Sequence, residues 1–416
     1  MKQKIKVRNK YFRRYLGVIF ASLFFMFGAF SGTAFANPGF TITETSGSTT
    51  VTESGSTDTF TVVLDEQPSA EGVVFSVASG DAGEVTVSST TLEFTSSNWN
   101  SAQTVTVTGV NDDLIDGSQT TTITISVVDA ISDDDFDSLA DKTVSVTTTD
   151  DDTASFAVTQ SGGSTAVSES GSTDTFTVVL GAQPASDVVI SVTSGDTGEA
   201  TVSPSQLTFT SGNWNSTQTV TVTGINDDLV DGTQTSTITM SVVDGSSDDS
   251  FDSLNDQTVT VSTADNDTAG FTVTQSGGST SVAESGSTDT FTVVLDAQPT
   301  SNVVISVSSG DTGEATVSPS LLTFTSGNWN SAQTVTITGV DDDLVDGTQT
   351  STITLSVVDG SSDNDFDGVD DQTVAATTAD NDTAGFTIAI SGGSTSVDES
   401  GSTDTFTVVL DAQPTS

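Results

Sequence analysis

The chain has 416 residues, 57 of them acidic and only eight basic, with no histidine and no cysteine. Seven of the eight basic residues lie in the first 14 positions, so past residue 36 the net charge is 57 − 1 = 56 negative, with Lys142 as the one positive side chain. This balance excludes nucleic acid, whose phosphates need Lys and Arg, and disfavours anionic membrane surfaces. It also leaves catalysis without the His, Cys, Arg and Tyr that usually serve as bases, nucleophiles and clamps.

The first element is a leader. Lys2, Lys4, Lys6, Arg8, Lys10, Arg13 and Arg14 precede an apolar run from Tyr15 to Phe30, and Ala34-Phe35-Ala36 follows. A basic segment, an apolar segment and an A-x-A site predict a secretory signal peptide over residues 1–36, with the mature chain starting at Asn37. The alternative is an uncleaved N-terminal anchor, since the run is nearly long enough to span a membrane. With no cysteine, disulfides do not stabilise the exported chain.

Beyond the leader the chain repeats itself. Glu53, Glu169, Glu284 and Glu399 each open the string Glu-Ser-Gly-Ser-Thr-Asp-Thr-Phe, at intervals of 116, 115 and 115 residues. Trp99, Trp214 and Trp329 are 115 apart. A period this long is a whole domain rather than a solenoid turn. The predicted copies are residues 39–154, 155–269 and 270–384, with a partial fourth at 385–416. The partial copy matches residues 270–301 at 28 of 32 positions. It supplies only two strands, so it is read as a truncated repeat, the start of a further domain before a mere truncation product, or, less simply, as a donor hairpin for another chain.

Within the third copy the predicted strands fall at 270–274, 290–295, 303–307, 315–324, 334–338, 352–357 and 373–377. Val335 and Ile337 share one face, and Thr334, Thr336 and Thr338 the other. Such period-two alternation of β-branched residues marks half-buried strands. About seven strands in some 115 residues, separated by Gly, Asp, Asn and Pro turns, predict an all-β chain of tandem immunoglobulin-like sandwiches. The Thr-x-Thr rows are read as solvent faces rather than ice-binding surfaces. The tryptophans are read as loop anchors over the core edge, with glycan stacking as the alternative.

Successive antiparallel strands turn at alternate ends. The first–second, third–fourth and fifth–sixth connections therefore share one end with the exit of the seventh strand. In the third copy this gathers Glu284, Asp311, Glu314, Asp341, Asp342, Asp343, Asp346, Asp380 and Asp382. The second copy offers Glu169, Asp196, Glu199, Asp227, Asp228, Asp231, Asp265 and Asp267. The first offers Glu53, Asp81, Glu84, Asp112, Asp113, Asp116, Asp150 and Asp152. Clustered carboxylates with loop carbonyls suit Ca2+, which takes six to eight oxygens in flexible geometry. Zn2+ would want His or Cys, and Mg2+ prefers to keep its waters. A division of the fourth strand at Ser318-Pro319 would alter which loops share an end. Solvated acids adapted to high salt are the competing reading, but here the acid is confined to loops while outward strand positions are Thr and Ser.

A second acidic string lies between the sixth and seventh strands, at the opposite end. Asp363-Asn364-Asp365-Phe366-Asp367-Gly368 is similar to the first half of an EF-hand loop, but Val374 stands where the closing Glu belongs. At that end it could also contribute to a junction between copies.

The string Thr334-Val-Thr-Ile-Thr-Gly-Val-Asp-Asp-Asp-Leu-Val-Asp346, with Glu284 before it and Asp380-Asn-Asp382 after it, resembles the Calx-beta family of calcium-binding sandwich domains. Together with Leu322-Thr-Phe-Thr-Ser-Gly-Asn-Trp-Asn330 it also resembles repeats of large bacterial secreted and surface proteins, some of them adhesins. The resemblance covers all three full copies and implies Ca2+ at one end of each. One departure is that Gly347-Thr-Gln follows the Asp run, where the family is usually richer in Glu. The first functional expectation is an exported, calcium-stiffened stalk or adhesin segment facing another cell surface or glycan. The alternatives are the N-terminal spacer of a larger secreted enzyme and a glycan-binding module. The chain itself is predicted not to be an enzyme, because its carboxylates recur in every copy whereas an active site normally occurs once. Glu399, in a copy without the other three acidic segments, is predicted to bind nothing.

Overall fold

The computed structural model describes residues 38–414, which fall into two compact units: 38–111 with Thr120–Thr149, and Asp112–Gln119 with 150–414. The leader predicted over residues 1–36 lies outside the described residues.

The first unit holds one sandwich. Its strands are β1 (Phe40–Glu44), β2 (Thr49–Thr52), β3 (Thr57–Leu64), β4 (Val73–Ser79), β5 (Val85–Val87), β6 (Thr91–Phe94), β7 (Gln103–Gly109), β8 (Gln119–Val127) and β9 (Lys142–Thr149). One sheet runs β1-β3-β7-β5 and the other β2-β9-β8-β4-β6. Alternation decides the layers. In β3, Phe60, Val62 and Leu64 are buried while Thr59 and Thr61 between them keep partial contact with water. Strand side chains leave on opposite faces, so a period of two makes one face core and the other solvent. Between the sheets Phe75 packs 4.6 Å from Phe40 and edge-on to Phe94 at 6.0 Å, centroid to centroid. Each such buried ring contributes about 1.5–3 kcal/mol. The ammonium of Lys142 sits 4.7 Å from the centre of the Phe40 ring and donates to the Phe40 carbonyl.

Nine strands form rather than about seven. The predicted first strand becomes β1, antiparallel to β3, and the connection after it holds an additional strand, β2, parallel to β9 beyond a turn at Thr45–Gly47. The predicted fourth strand divides into β5, paired with β7, and β6, paired with β4. Proline is not the cause, since this copy has Ser88-Ser89 at the break where later copies have Ser-Pro. Neither change of sheet reverses the direction of the chain, so every connection still emerges at the end that a seven-strand count assigns to it.

The second unit holds two more sandwiches. Their strands run from β10 (Phe156–Gln160) to β18 (Gln257–Ala264) and from β19 (Phe271–Gln275) to β27 (Gln372–Ala379). Both repeat the four- and five-stranded sheet orders of the first unit. The hairpin of β28 (Phe386–Ile390) and β29 (Phe406–Leu410) follows. Phe386, Ile388, Phe406 and Leu410 on it are exposed, since a lone hairpin has no second layer to cover it.

Candidate metal centres

Four turns bring acids to one end of the third sandwich. Glu284 follows β20 (Thr280–Ala283), and Glu314 precedes β23 (Ala315–Ser318). Asp342 and Asp346 lie between β25 (Gln333–Gly339) and β26 (Gln349–Val357), and Asp380 and Asp382 follow β27. Gly339 permits this convergence. A Cβ there would stand 2.2 Å from the Ala283 carbonyl oxygen, so only glycine lets the end of β25 close on the residue before Glu284.

Carboxylate oxygens of Glu284, Glu314 and Asp346 lie within 4.8 Å of one another, and so do those of Glu284, Asp380 and Asp382. Glu284 belongs to both trios. In the second sandwich Glu169 plays the same double part, once with Glu199 and Asp227 and once with Asp265 and Asp267. The two shared glutamates are each only 1% exposed. One oxygen of each is held: the Asn381 backbone N–H donates to Glu284 Oε2 at 3.1 Å, and Asn266 does the same for Glu169 at 3.2 Å. The other oxygen, Glu284 Oε1 or Glu169 Oε1, is buried without a hydrogen-bond partner. Glu314 Oε2, Asp346 Oδ1 and Asp382 Oδ2 share that condition, as do Glu199 Oε2, Asp231 Oδ1 and Asp267 Oδ2. Asn266 and Asn381 carry no charge, so a search for acids in the sequence passes over them. Their place in the Asp-Asn-Asp string was the available signal.

Burial raises the Glu284 carboxyl against the Asn381 N–H that donates to it; burial also pushes Glu314 and Asp382 above their usual range, and neighbouring carboxylates push them further. The same causes, in the same order, raise Glu199 and Asp267. Burial likewise raises Glu169 and Asp231, against a hydrogen bond from Asn266 and from Gln234. Asp380 goes the other way, because the N–H groups of Gly347 and Asp382 donate to it. Removing several like charges from water costs several kcal/mol each unless a counter-charge enters. Residues 150–414 contain no Lys, Arg or His, so no side chain of the second unit can supply one. The donors are all oxygen, which fits a hard cation of the Ca2+ type and offers neither nitrogen nor sulfur for Zn2+.

Asp196 and Asp311 are exposed, and each turns Oδ1 back onto the N–H two residues on, at Gly198 and Gly313. Asp341 accepts from the Asn381 side chain at 2.9 Å. Asp228 and Asp343 each present a backbone carbonyl to a later residue, Gln298 and Gln413 respectively. In the first unit Glu53 is buried with its N–H on the Thr149 carbonyl. The Glu84 carbonyl accepts from Val110, and Asp81 makes the turn onto Gly83. The remaining predicted ligands of the first copy belong to the second unit. There Asp112 accepts from the Leu114 N–H, the Asp113 carbonyl from Gln183 and the Asp116 carbonyl from Gln119. Asp150 accepts from Gly117 and Asp152, and burial raises the Asp152 carboxyl.

The opposite end of the third sandwich differs in kind. Asp363 is 4% exposed, yet its Oδ2 accepts from the Ser301 N–H at 2.6 Å and the Thr300 hydroxyl at 2.8 Å. Its Oδ1 accepts from the Asp365 N–H. Burial alone would raise this carboxyl, but those donors outweigh it and hold it below 3.8. Phe366, inside the EF-hand-like string, is a buried core residue. This string is therefore a loop clamp: its first acid ties two loops together and its aromatic plugs the core. Trp214 and Trp329 are partly buried against their cores, and their carbonyls accept from Leu180 and Leu295.

Neither a protein-family model nor any curated protein matches the sequence. Solved structures give slight likenesses. A CBD12 structure from CALX1.2 is 11% identical, over 53% of this chain and 99% of that one, at TM-score 0.22. The I67–I69 I-band fragment of titin is 10% identical, over 84% and 100%, at 0.24. Domains 4–9 of the surface layer protein SbsC are 17% identical, over 85% and 53%, at 0.22. These scores are too low to bear on function, and the all-β assignment stands on the sheets themselves.

Proposed function

We propose that this chain is an exported calcium-binding repeat protein that serves as a cell-surface stalk or adhesin segment, with residues 39–154, 155–269 and 270–384 as its building blocks. One observation carries the reading. Buried glutamates shared between two acid trios, Glu169 and Glu284, hold an oxygen without a hydrogen-bond partner among like charges. Glu284, Glu314 and Asp346 would hold one ion, and Glu284, Asp380 and Asp382 another. The ion supplies positive charge that the second unit's own side chains lack. The protein contributes fixed, dehydrated oxygens, oriented by Asn381 and by the N–H groups that hold Asp380. Export rests on the leader at residues 1–36. Among the described residues no helix is long and apolar enough to cross a membrane.

No catalytic role is assigned to the acids, because the same arrangement recurs from copy to copy. The test is calorimetric titration of the chelator-treated chain with Ca2+, alongside thermal melting. Saturable binding with a raised melting temperature supports the reading. No heat of binding and an unchanged melting curve overturn it.

A further inference from the structure

The core of the second and third sandwiches changes character one layer before the acids. Along β18 the inward side chains are Val259, Val261 and Thr263, and the next position of that parity is Asp265. Along β27 they are Val374, Ala376 and Thr378, followed by Asp380. The adjoining strands make the same change. In β17 (Gln234–Val242) Met240 and Ile238 give way to Ser236, and in β26 Leu355 and Ile353 give way to Ser351. Thr263 also lies beside Val167 in the parallel pairing of β11 (Thr165–Ser168) with β18, two residues short of Glu169. A floor of hydroxyls therefore separates the apolar core from each acid cluster.

Thr263 and Thr378 are fully buried, and Ser236 and Ser351 are 4% and 2% exposed. In the third sandwich the floor supports a turn. Thr378 Oγ1 donates to the Glu314 carbonyl at 3.3 Å and Ser351 Oγ to the Asp311 carbonyl at 3.5 Å, so both hold the turn that delivers Glu314 to its trio. In the second sandwich Thr263 and Ser236 take the same register positions, beneath the turn from Asp196 to Glu199. Neither of those two hydroxyls has a hydrogen-bond partner. A buried hydroxyl left in that condition is less favourable than a methyl of the same shape. Val259 and Val261 show that this strand accepts valine at inward positions. Packing alone therefore does not account for the hydroxyl of Thr263.

We propose that Thr263 is a positioning residue of the second sandwich's metal centre: when a cation draws Glu199 inward, the Thr263 hydroxyl takes the Glu199 carbonyl as its acceptor and fixes the turn, as Thr378 does for Glu314. This inference rests on the calcium reading above and deepens it by naming a side chain beneath the acids that sets affinity. Groups that orient metal ligands from behind change affinity about 10–100-fold when removed.

The test uses the full chain with Thr263→Val, which keeps the shape and removes the hydroxyl, and with Thr263→Ser, which keeps the hydroxyl. Ca2+ binding is titrated by calorimetry, and melting is followed in chelator. The first and third sandwiches are unaltered and serve as the internal reference. In Thr263→Val the second sandwich binds Ca2+ about tenfold more weakly. Its melting temperature in chelator equals the parent's or exceeds it, because an unpartnered hydroxyl is gone. Thr263→Ser binds as the parent does. If Thr263→Val binds every ion as tightly as the parent, the positioning role is overturned and the calcium reading stands. If its weaker binding comes with a lower melting temperature in chelator, or if Thr263→Ser binds as weakly as Thr263→Val, Thr263 is a packing residue only and the proposal falls. If the parent binds no Ca2+, both readings fall together.

Discussion

Two acidic ends of the third sandwich use the same kind of side chain to opposite effect. At one end, Asp363 is buried with hydroxyl and N–H donors on both oxygens, and its carboxyl is held below the usual value. At the other, Glu284 and Glu314 are buried with an undonated oxygen each, and their carboxyls are raised. The first carboxylate is complete and ties the chain to itself. The second group keeps oxygens that no donor of the sandwich satisfies. Burial does not separate them; the supply of donors does.

The largest expected effect is that of Ca2+. At a hundredfold excess over Kd, one ion per sandwich adds about 2.7 kcal/mol, or roughly 10 °C in melting temperature for domains of this size. Melting in Ca2+ against chelator measures it, and an unchanged midpoint breaks the comparison.

Asp363→Ala comes next. Losing hydrogen bonds to a buried charged group costs about 2 kcal/mol, with and without Ca2+ alike. A loss seen only in Ca2+ would mean that the clamp end also binds metal.

Glu284→Gln moves the other way. It abolishes Ca2+ binding at both trios of the third sandwich, yet raises metal-free stability by about 1 kcal/mol, because one buried like charge is gone. Chemical denaturation in chelator reads this out. Destabilisation of the metal-free protein would contradict it.

Acid sharpens the contrast in one titration. Raised carboxyls such as Glu284 and Glu314 hold protons more tightly in the folded state. In chelator their contribution is present below the ordinary Glu value of 4.5 and is lost as pH rises through the raised folded value. Mild acidification toward 4.5 therefore stabilises the metal-free chain. Asp363 and Asp248 are lowered, so their contribution is present above 3.8 and is lost as pH falls below it through their folded values. In Ca2+, mild acid instead destabilises, since protons compete for the ligand oxygens. A melting temperature that falls steadily from neutral pH in chelator would count against the raised group.

The smallest effect belongs to Asp311→Ala. This carboxylate is exposed and turned onto Gly313, so Ca2+ affinity stays within a factor of about two and the melting temperature within about 3 °C.

Much of this was legible in the chain itself. Thr-Val-Thr-Ile-Thr at 334–338 announces a half-buried strand, because alternation of Val and Ile with Thr has one stable solution against a second layer. The recurrence of Glu53, Glu169 and Glu284 at 116 and 115 residues announces that whatever one copy does, each does. The absence of basic residues past Lys142 shows that no side chain beyond it can pair with these acids. The divided strand was less legible, since Ser88-Ser89 reads as ordinary strand sequence and crosses sheets only because β5 and β6 find partners in different layers. Asp363 and Asp346 could not be told apart by residue type.

Local sequence determined the strands, their buried faces, the period and the inventory of oxygens, because side-chain alternation and composition act within a few residues. Tertiary structure alone decided which acids receive donors and which face one another. It also decided which loop reaches the next sandwich. Each of those outcomes joins segments far apart in the chain: Asn381 lies 97 residues from Glu284, and Asp363 lies 62 from Ser301. Only the folded sheets bring such groups within the roughly 3 Å at which a hydrogen bond, or its lack, fixes the fate of a charge.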